Sequence, residues 1–185
     1  MAENTINGIG IHQGDLVDLL LSIHTKYTAL LAKLDADSVV AATDYGSACV
    51  VSFPSYIQTT GPKCIRNQGD VVQLLSDLNV GFNAMLVKVD ADVGVGIDDD
   101  YSSLLALTNA TGGQPSDGAS LPGGGSAEQG SIVKLLKNFI SNFNTCLTKL
   151  DTDPLGDSDY SSSLAITDNV DSQACELRPL SHDIY

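Results

Sequence analysis

The sequence predicts a mainly α protein in which three sequence-repeated long helices pack as a pseudo-threefold bundle, with long irregular connectors and a loop-rich tail. The first observation is that one unit is written three times. Gln13-Gly14-Asp15-Leu16-Val17-Asp18-Leu19-Leu20 recurs as Gln68-Gly69-Asp70-Val71-Val72-Gln73-Leu74-Leu75 and as Gln129-Gly130-Ser131-Ile132-Val133-Lys134-Leu135-Leu136. The second is that apolar residues after each of these openings fall at alternating steps of three and four, the spacing of one helix face. The third is that residues 35–68 and 90–129 far exceed the roughly 2–8 residues that join antiparallel helices. At about 3.3 Å per residue, such segments can return along a helix and start the next one in the same direction.

The elements follow in chain order. Residues 1–12 form a leader without a basic start or a long apolar run, so no secretory signal is expected. Repeat 1, residues 13–51, has a helix from Asp15 to Leu34 with a seam of Val17, Leu20, Tyr27, Leu31 and Leu34, His24 taking its polar step. A connector at 52–67 carries Pro54, Tyr56, Ile57 and Pro62 and reads as extended but ordered. Repeat 2, residues 68–108, has a helix from Asp70 to Val89 with a seam of Val72, Leu75, Asn79, Phe82, Leu86 and Val89. Gly81 in its middle should cost about 1 kcal/mol against Ala and make this the weakest repeat. Residues 109–128 are a Gly/Ser/Pro-rich linker, flexible or running over the surface. Repeat 3, residues 129–167, has a helix from Ser131 to Leu150 with a seam of Val133, Leu136, Ile140, Phe143, Leu147 and Leu150. The tail, 168–185, has no periodicity.

A second apolar row lies beside each seam: Leu19, Ile23 and Leu30; Leu74, Leu78 and Met85; Leu135, Phe139 and Cys146. Each helix, about 30 Å long, should therefore pack on two sides. His24, Asn79 and Ile140 would meet in one layer, a polar step that fixes register rather than a catalytic centre. Asp15, Asp70 and Ser131 stand where a helix start needs a capping oxygen, and Lys33, Lys88 and Lys149 stand in the last turn, where they suit the helix dipole. Every repeat then passes through an Asp-x-Asp turn (Asp35 and Asp37, Asp90 and Asp92, Asp151 and Asp153) to an Asp-Tyr pair ending in Tyr45, Tyr101 or Tyr160. Thr43, Asp99 and Ser158 just before those pairs, with Cys49 and Val51, Leu105 and Leu107, or Leu164 and Ile166 after them, indicate a short second element. One or two helical turns fit best, a strand being the alternative.

Composition narrows the function classes. Nine basic against 23 acidic residues give a formal charge of -14, with no basic cluster to neutralise phosphate, so nucleic acid is not an expected partner. An acidic surface keeps a protein soluble and suits a basic patch on another protein. No stretch approaches the roughly 20 apolar residues of a membrane span. Cys49, Cys64, Cys146 and Cys175 lack a C-x-x-C spacing and are expected to be free thiols, with Cys146 standing in the core where Leu30 and Met85 stand in the other repeats.

The acidic turns invite a calcium reading, most of all Asp90 and Asp92 followed by Asp98 and Asp100. A helix-loop-helix calcium loop needs further oxygen ligands at fixed steps and a bidentate Glu at its end. The fifth positions here are Val39, Gly94 and Leu155, and the twelfth are Gly46, Tyr101 and Ser162, so the carboxylates are expected to cap turns and face water. His12, His24 and His182 show no metal-ligand spacing, and no nucleophile elbow, phosphate loop or dinucleotide fingerprint is present. Neither a cofactor nor enzymatic activity is expected. Tyr45, Tyr101 and Tyr160 read as anchors, each with a ring on its helix and a hydroxyl in water.

Ala29-Leu30-Leu31-Ala32-Lys33-Leu34-Asp35-Ala36-Asp37, closing in Thr43-Asp44-Tyr45, resembles a segment that recurs in short virion or hypothetical proteins of tailed bacteriophages. That segment reads Leu-Leu-Ala-Lys-Leu-Asp-Ala-Asp, a Gly-Val turn, then Thr-Asp-x-Asp-Tyr. Repeats 1 and 2 match it most fully, and repeat 2 keeps the Gly94-Val95 turn; repeat 3 departs from it at Asp153-Pro154-Leu155-Gly156. The resemblance covers the three repeats and not the leader, linkers or tail. It implies a non-enzymatic structural component of a virion, made in a bacterial cytoplasm, whose partners are capsid, head-to-tail or appendage proteins, or further copies of itself. Capsid decoration is the first placement, and a head-to-tail connector or fibre component the second. A soluble regulatory protein or a calcium-binding adhesion module is the alternative of another class.

Overall fold

The computed structural model describes residues 13–60, 68–92, 97–107 and 125–167, with side chains described from Leu16, Asp70 and Leu135 onward in the three long helices. Each repeat supplies one long and one short helix: α1 (Gln13–Ala36) and α2 (Tyr45–Ala48), α3 (Gln68–Asp90) and α4 (Tyr101–Leu105), α5 (Gly125–Thr152) and α6 (Tyr160–Leu164). The protein is mainly α, and no strand occurs among the described residues. The leader, the Gly94-Val95 turn, residues 109–124 of the linker, the tail, Cys64 and Cys175 lie outside the described residues.

The long helices are those the periodicity predicts, but their ends differ. They start at Gln13, Gln68 and Gly125, so Asp15, Asp70 and Ser131 lie inside the helices and not at their caps. Asp70 in the first turn of α3 suits the positive end of the dipole. The early start of α5 takes residues 125–128 from the expected linker. Ala127, Glu128 and Gln129 are good helix formers, and that preference outweighs the compositional signal of the glycines before them. The C-terminal ends run one or two residues beyond Leu34, Val89 and Leu150.

Apolar periodicity becomes a core in which both rows of every long helix are covered. Val17, Leu20, Tyr27 and Leu31, then Leu75, Phe82 and Leu86, then Leu136, Phe143 and Leu147 are at most 1% exposed, with Val72 at 9%. Val133 lies outside the described side chains. In the second row Ile23, Leu30, Leu78, Met85, Phe139 and Cys146 are fully buried, and Leu135 is partly covered. Phe82 of α3 meets Phe139 and Phe143 of α5 at ring-centroid distances of 5.6 and 6.2 Å. Burying such side chains contributes about 1.5–3 kcal/mol each.

The polar layer expected of His24, Asn79 and Ile140 does not form as one environment. Asn79 and Ile140 are buried, whereas half-buried His24 is 2.7 Å by Nε2 from the Val51 carbonyl and sets its ring edge-on to Phe53. The chain returning after α2 supplies the carbonyl that draws this ring outward. Residues 52–60 of the connector are irregular, and Ile57 inserts into the core with its N–H on the Pro54 carbonyl at 3.2 Å.

Gly81 is not a weakness of α3 but a packing requirement. A Cβ there would come 2.6 Å from Val51 Cγ2, 2.9 Å from the Tyr27 hydroxyl and 3.1 Å from the Cys49 carbonyl. The helix gives up about 1 kcal/mol of propensity so that the returning segment of repeat 1 can lie against its backbone.

Candidate functional site

The described polar groups concentrate where the long helices end. A helix of four or five residues has too few internal hydrogen bonds to persist alone. Each short helix is held at its start by the first carboxylate of the Asp-x-Asp turn, which accepts two successive N–H groups. Asp35 takes those of Tyr45 and Gly46 at 2.6 and 2.8 Å, and Asp90 those of Tyr101 and Ser102 at 2.7 and 2.9 Å. Asp151 takes those of Tyr160 and Ser161 at 2.6 and 2.9 Å, and the hydroxyls of Ser102 and Ser161 also donate to their aspartates. The N-cap residues themselves, Asp44, Asp100 and Asp159, make no side-chain cap bond. Capping by Thr43, Asp99 and Ser158 is thus replaced by a carboxylate from the preceding helix end.

The second carboxylate of each turn reaches a different repeat. Asp92 accepts the backbone N–H groups of Ala41 and Ala42, both at 2.9 Å, and the Tyr45 hydroxyl at 3.2 Å. Asp153 accepts the Tyr101 hydroxyl at 2.5 Å and the Asp98 N–H at 3.3 Å. Asp37 accepts the Tyr160 hydroxyl at 2.9 Å and the N–H groups of Val39, Gly156 and Asp157, each at 3.0 Å. A Cβ on Gly156 would stand 2.9 Å from that carboxylate, so a larger residue would have to push it aside. Repeat 2 therefore holds repeat 1, repeat 3 holds repeat 2, and repeat 1 holds repeat 3.

A lysine follows the same route at each junction. Lys88 lies 2.5 Å from Asp44 and 5.0 Å above the Tyr45 ring; Lys149 lies 2.5 and 2.8 Å from Asp98 and Asp100 and 4.7 Å above Tyr101. Lys33 lies 2.7 and 2.6 Å from Asp157 and Asp159 and 4.8 Å above Tyr160. The helix-dipole role expected of these lysines is joined by an ion pair and a cation–π contact across a junction. Together these contacts set the C-terminal end of each long helix against the segment that follows another.

The electrostatics keep the donors and acceptors in these forms. Burial raises the pKa of Tyr45, Tyr101 and Tyr160, and the facing aspartates raise it further, so the phenols remain proton donors. Burial pushes Asp37 upward, but the N–H groups of Val39, Asp157 and Gly156 and the Tyr160 hydroxyl outweigh it and hold the carboxyl below its ordinary range. Partial burial lowers Lys33 and Lys149, and their paired aspartates more than offset it. The arrangement is suited to fastening repeats together.

Tyr45, Tyr101 and Tyr160 are fully buried, so their hydroxyls do not stand in water as the sequence suggested. Asp37 and Asp153 likewise do not face solvent, at 5% and 9% exposure. The four carboxylates considered as oxygen ligands separate. Asp90 caps α4, Asp92 reaches repeat 1, and Asp98 and Asp100 pair with Lys149. Among the described residues no group of three His, Cys, Asp or Glu side chains is placed to hold a metal ion. Sequence reading missed Asn83 and Asn144, which clamp the segments after α4 and α6. Asn83 bonds the Leu107 carbonyl and N–H at 2.7 and 2.8 Å, and Asn144 those of Ile166 at 2.8 and 2.9 Å. The recurrence of Asn at one helical position was a signal for them. Repeat 1 carries Thr28 there, and the corresponding carbonyl, that of Val51, instead lies 2.7 Å from His24 Nε2. Cys49 and Cys146 are free and buried, and no described helix is long and apolar enough to cross a membrane.

Comparison with protein-family models, with curated proteins and with solved structures gave no match.

Proposed function

We propose that the three repeats close into a pseudo-threefold bundle and that the protein is a non-enzymatic structural component of a tailed-phage virion, placed on the capsid surface as a decoration protein. The observation that carries the proposal is the return of the junction contacts from repeat 3 to repeat 1. Lys33 and Asp37 meet Asp157, Asp159 and Tyr160 through the same chemistry that joins the other pairs. A single chain built this way acts as a covalent trimer, which suits a quasi-threefold or ring-like partner, where several weak contacts on one body reinforce each other by effective concentration. The bacterial-virus setting rests on the resemblance of the Leu-Asp-Ala-Asp…Asp-Tyr segment. The acidic surface complements basic shell patches and opposes self-association.

Purified particles should contain the chain in fixed stoichiometry, and its deletion should weaken the shell or block assembly without removing a catalytic step. Imaging of the particle would separate a capsid-surface position from a head-to-tail or appendage one. Absence from intact particles together with abundance in infected-cell lysate would reject the virion reading in favour of a soluble regulatory binder.

A further inference from the structure

We propose that the groove between α2 and α3 is a docking site for a protein partner that lays a lysine or arginine side chain, flanked by apolar residues, along it. The groove has a volume of about 350 Å³, and its floor is Gly81 with the Cys49–Val51 segment beside it. Its rim is apolar and open: Val50 and Val80 are 58% and 59% exposed, and Val87 continues the same face of α3 at 58%. The inference does not depend on which assembly the chain joins.

The other two junctions show why this groove is open and what fills such a place. At the position of Gly81, α1 carries Lys26, whose Nζ donates to the Ser163 carbonyl at 2.7 Å, and α5 carries Asn142, whose amide donates to the Leu105 carbonyl at 2.8 Å. Both side chains span from their long helix to the short helix beside it. At the α2–α3 junction the corresponding carbonyl, that of Cys49, is bonded at 2.7 Å by the Tyr27 hydroxyl, which lies against Gly81, so no side chain of α3 itself spans from this position to α2. The surrounding positions differ in the same sense: Val80, Ala84 and Val87 of α3 replace Thr25, Ala29 and Ala32 of α1 and Ser141, Thr145 and Thr148 of α5. Since the other repeats build the same junction with small or polar residues there, the fold itself does not require the two exposed valines.

Charge selects the occupant. Asp77, one turn before Gly81, is the charged group on the groove wall, where α1 has Ser22 and α5 has Asn138. One of its oxygens accepts from Gln73 at 2.8 Å on the same helix. A partner cation over Asp77 can lay its alkyl stem along Val80 and Ala84 on the exposed rim. The formal charge of -14 steers such a partner inward and repels a second copy of this chain.

The test is a titration of the isotope-labelled full chain, followed by amide chemical shifts, with a capped amphipathic peptide of Leu, Ala and Lys. The same peptide with every Lys replaced by Glu is the control. The Lys peptide should shift the amides of Val50, Asp77, Val80 and Ala84, and the Glu peptide should not. Asp77→Asn with Val80→Ser and Ala84→Thr installs exposed residues already found in α5; it should leave melting unchanged and weaken binding by about tenfold or more. Asp77→Asn alone should lose part of the affinity and of its salt dependence. Equal binding of the two peptides, shifts located elsewhere, no shifts at all, or unaltered affinity in the triple variant would overturn the proposal.

Discussion

At the scale of single residues, each junction rests on a buried phenol donating to a carboxylate that one or more backbone N–H groups also hold. The Tyr160 to Asp37 bond closes the series, and both groups are buried, at 0% and 5% exposure. Tyr160→Phe keeps the ring and leaves Asp37 short of one donor, which should lower stability by about 1–3 kcal/mol in denaturant melts. The corresponding change Tyr45→Phe removes a longer bond, 3.2 Å, to the less buried Asp92 and should cost less. No loss in either variant would show that the hydroxyls contribute nothing beyond their rings, and equal losses would show that bond length and burial do not set the cost. Asp37 also sets a pH dependence. Its folded pKa is depressed, so its contribution is present above the unfolded value of about 4 and is lost as pH falls through the folded value. Stability should therefore drop in acid below about pH 4, and Asp37→Asn should flatten that limb while lowering stability at neutral pH. An unchanged acid limb would contradict the assignment.

At the scale of elements, local pattern sets the helices and distant contacts set their ends and their exceptions. Gly81→Ala separates the two. Propensity alone predicts a gain of about 1 kcal/mol in α3. The clash of a Cβ with Val51 Cγ2 at 2.6 Å and with the Cys49 carbonyl at 3.1 Å predicts instead a net loss of about 1–3 kcal/mol. A stabilised variant in thermal melts would restore the reading of Gly81 as a simple weakness. The same division explains what was legible beforehand. Periodicity of 3.6 exposed the three helices and their two buried rows, because that signal lies within one segment. The starts of α1, α3 and α5 were misplaced because Asp15, Asp70 and Ser131 have the chemistry of caps without the position of caps. The roles of Asp37, Tyr160 and Lys33 were not legible, because their partners lie more than a hundred residues away in sequence and no local rule connects them. The recurrence of Asp-x-Asp and Asp-Tyr marked these residues as important; only the packing shows that the first Asp serves its own repeat and the second another. His24 was misplaced for the same reason, since the Val51 carbonyl that orients it arrives from beyond the helix.

At the scale of the whole molecule, the proposal is that three repeats form one closed body, which gives the chain equivalent surfaces at one end and individual surfaces along its sides. The closing contacts from repeat 3 to repeat 1 distinguish this from an open array, in which the terminal repeats would not meet. The side faces are free to diverge because the core does not use them, and α3 has diverged furthest toward apolar residues at Val80, Ala84 and Val87. Pulsed electron–electron resonance between spin labels on the exposed, equivalent positions Ala32, Val87 and Thr148, carried on unnatural side chains so that the native thiols are untouched, measures the closure directly. Closure predicts three narrow distance distributions of similar mean, the triangle of a threefold arrangement. A distance from 32 to 148 clearly longer than those from 32 to 87 and from 87 to 148 would contradict it.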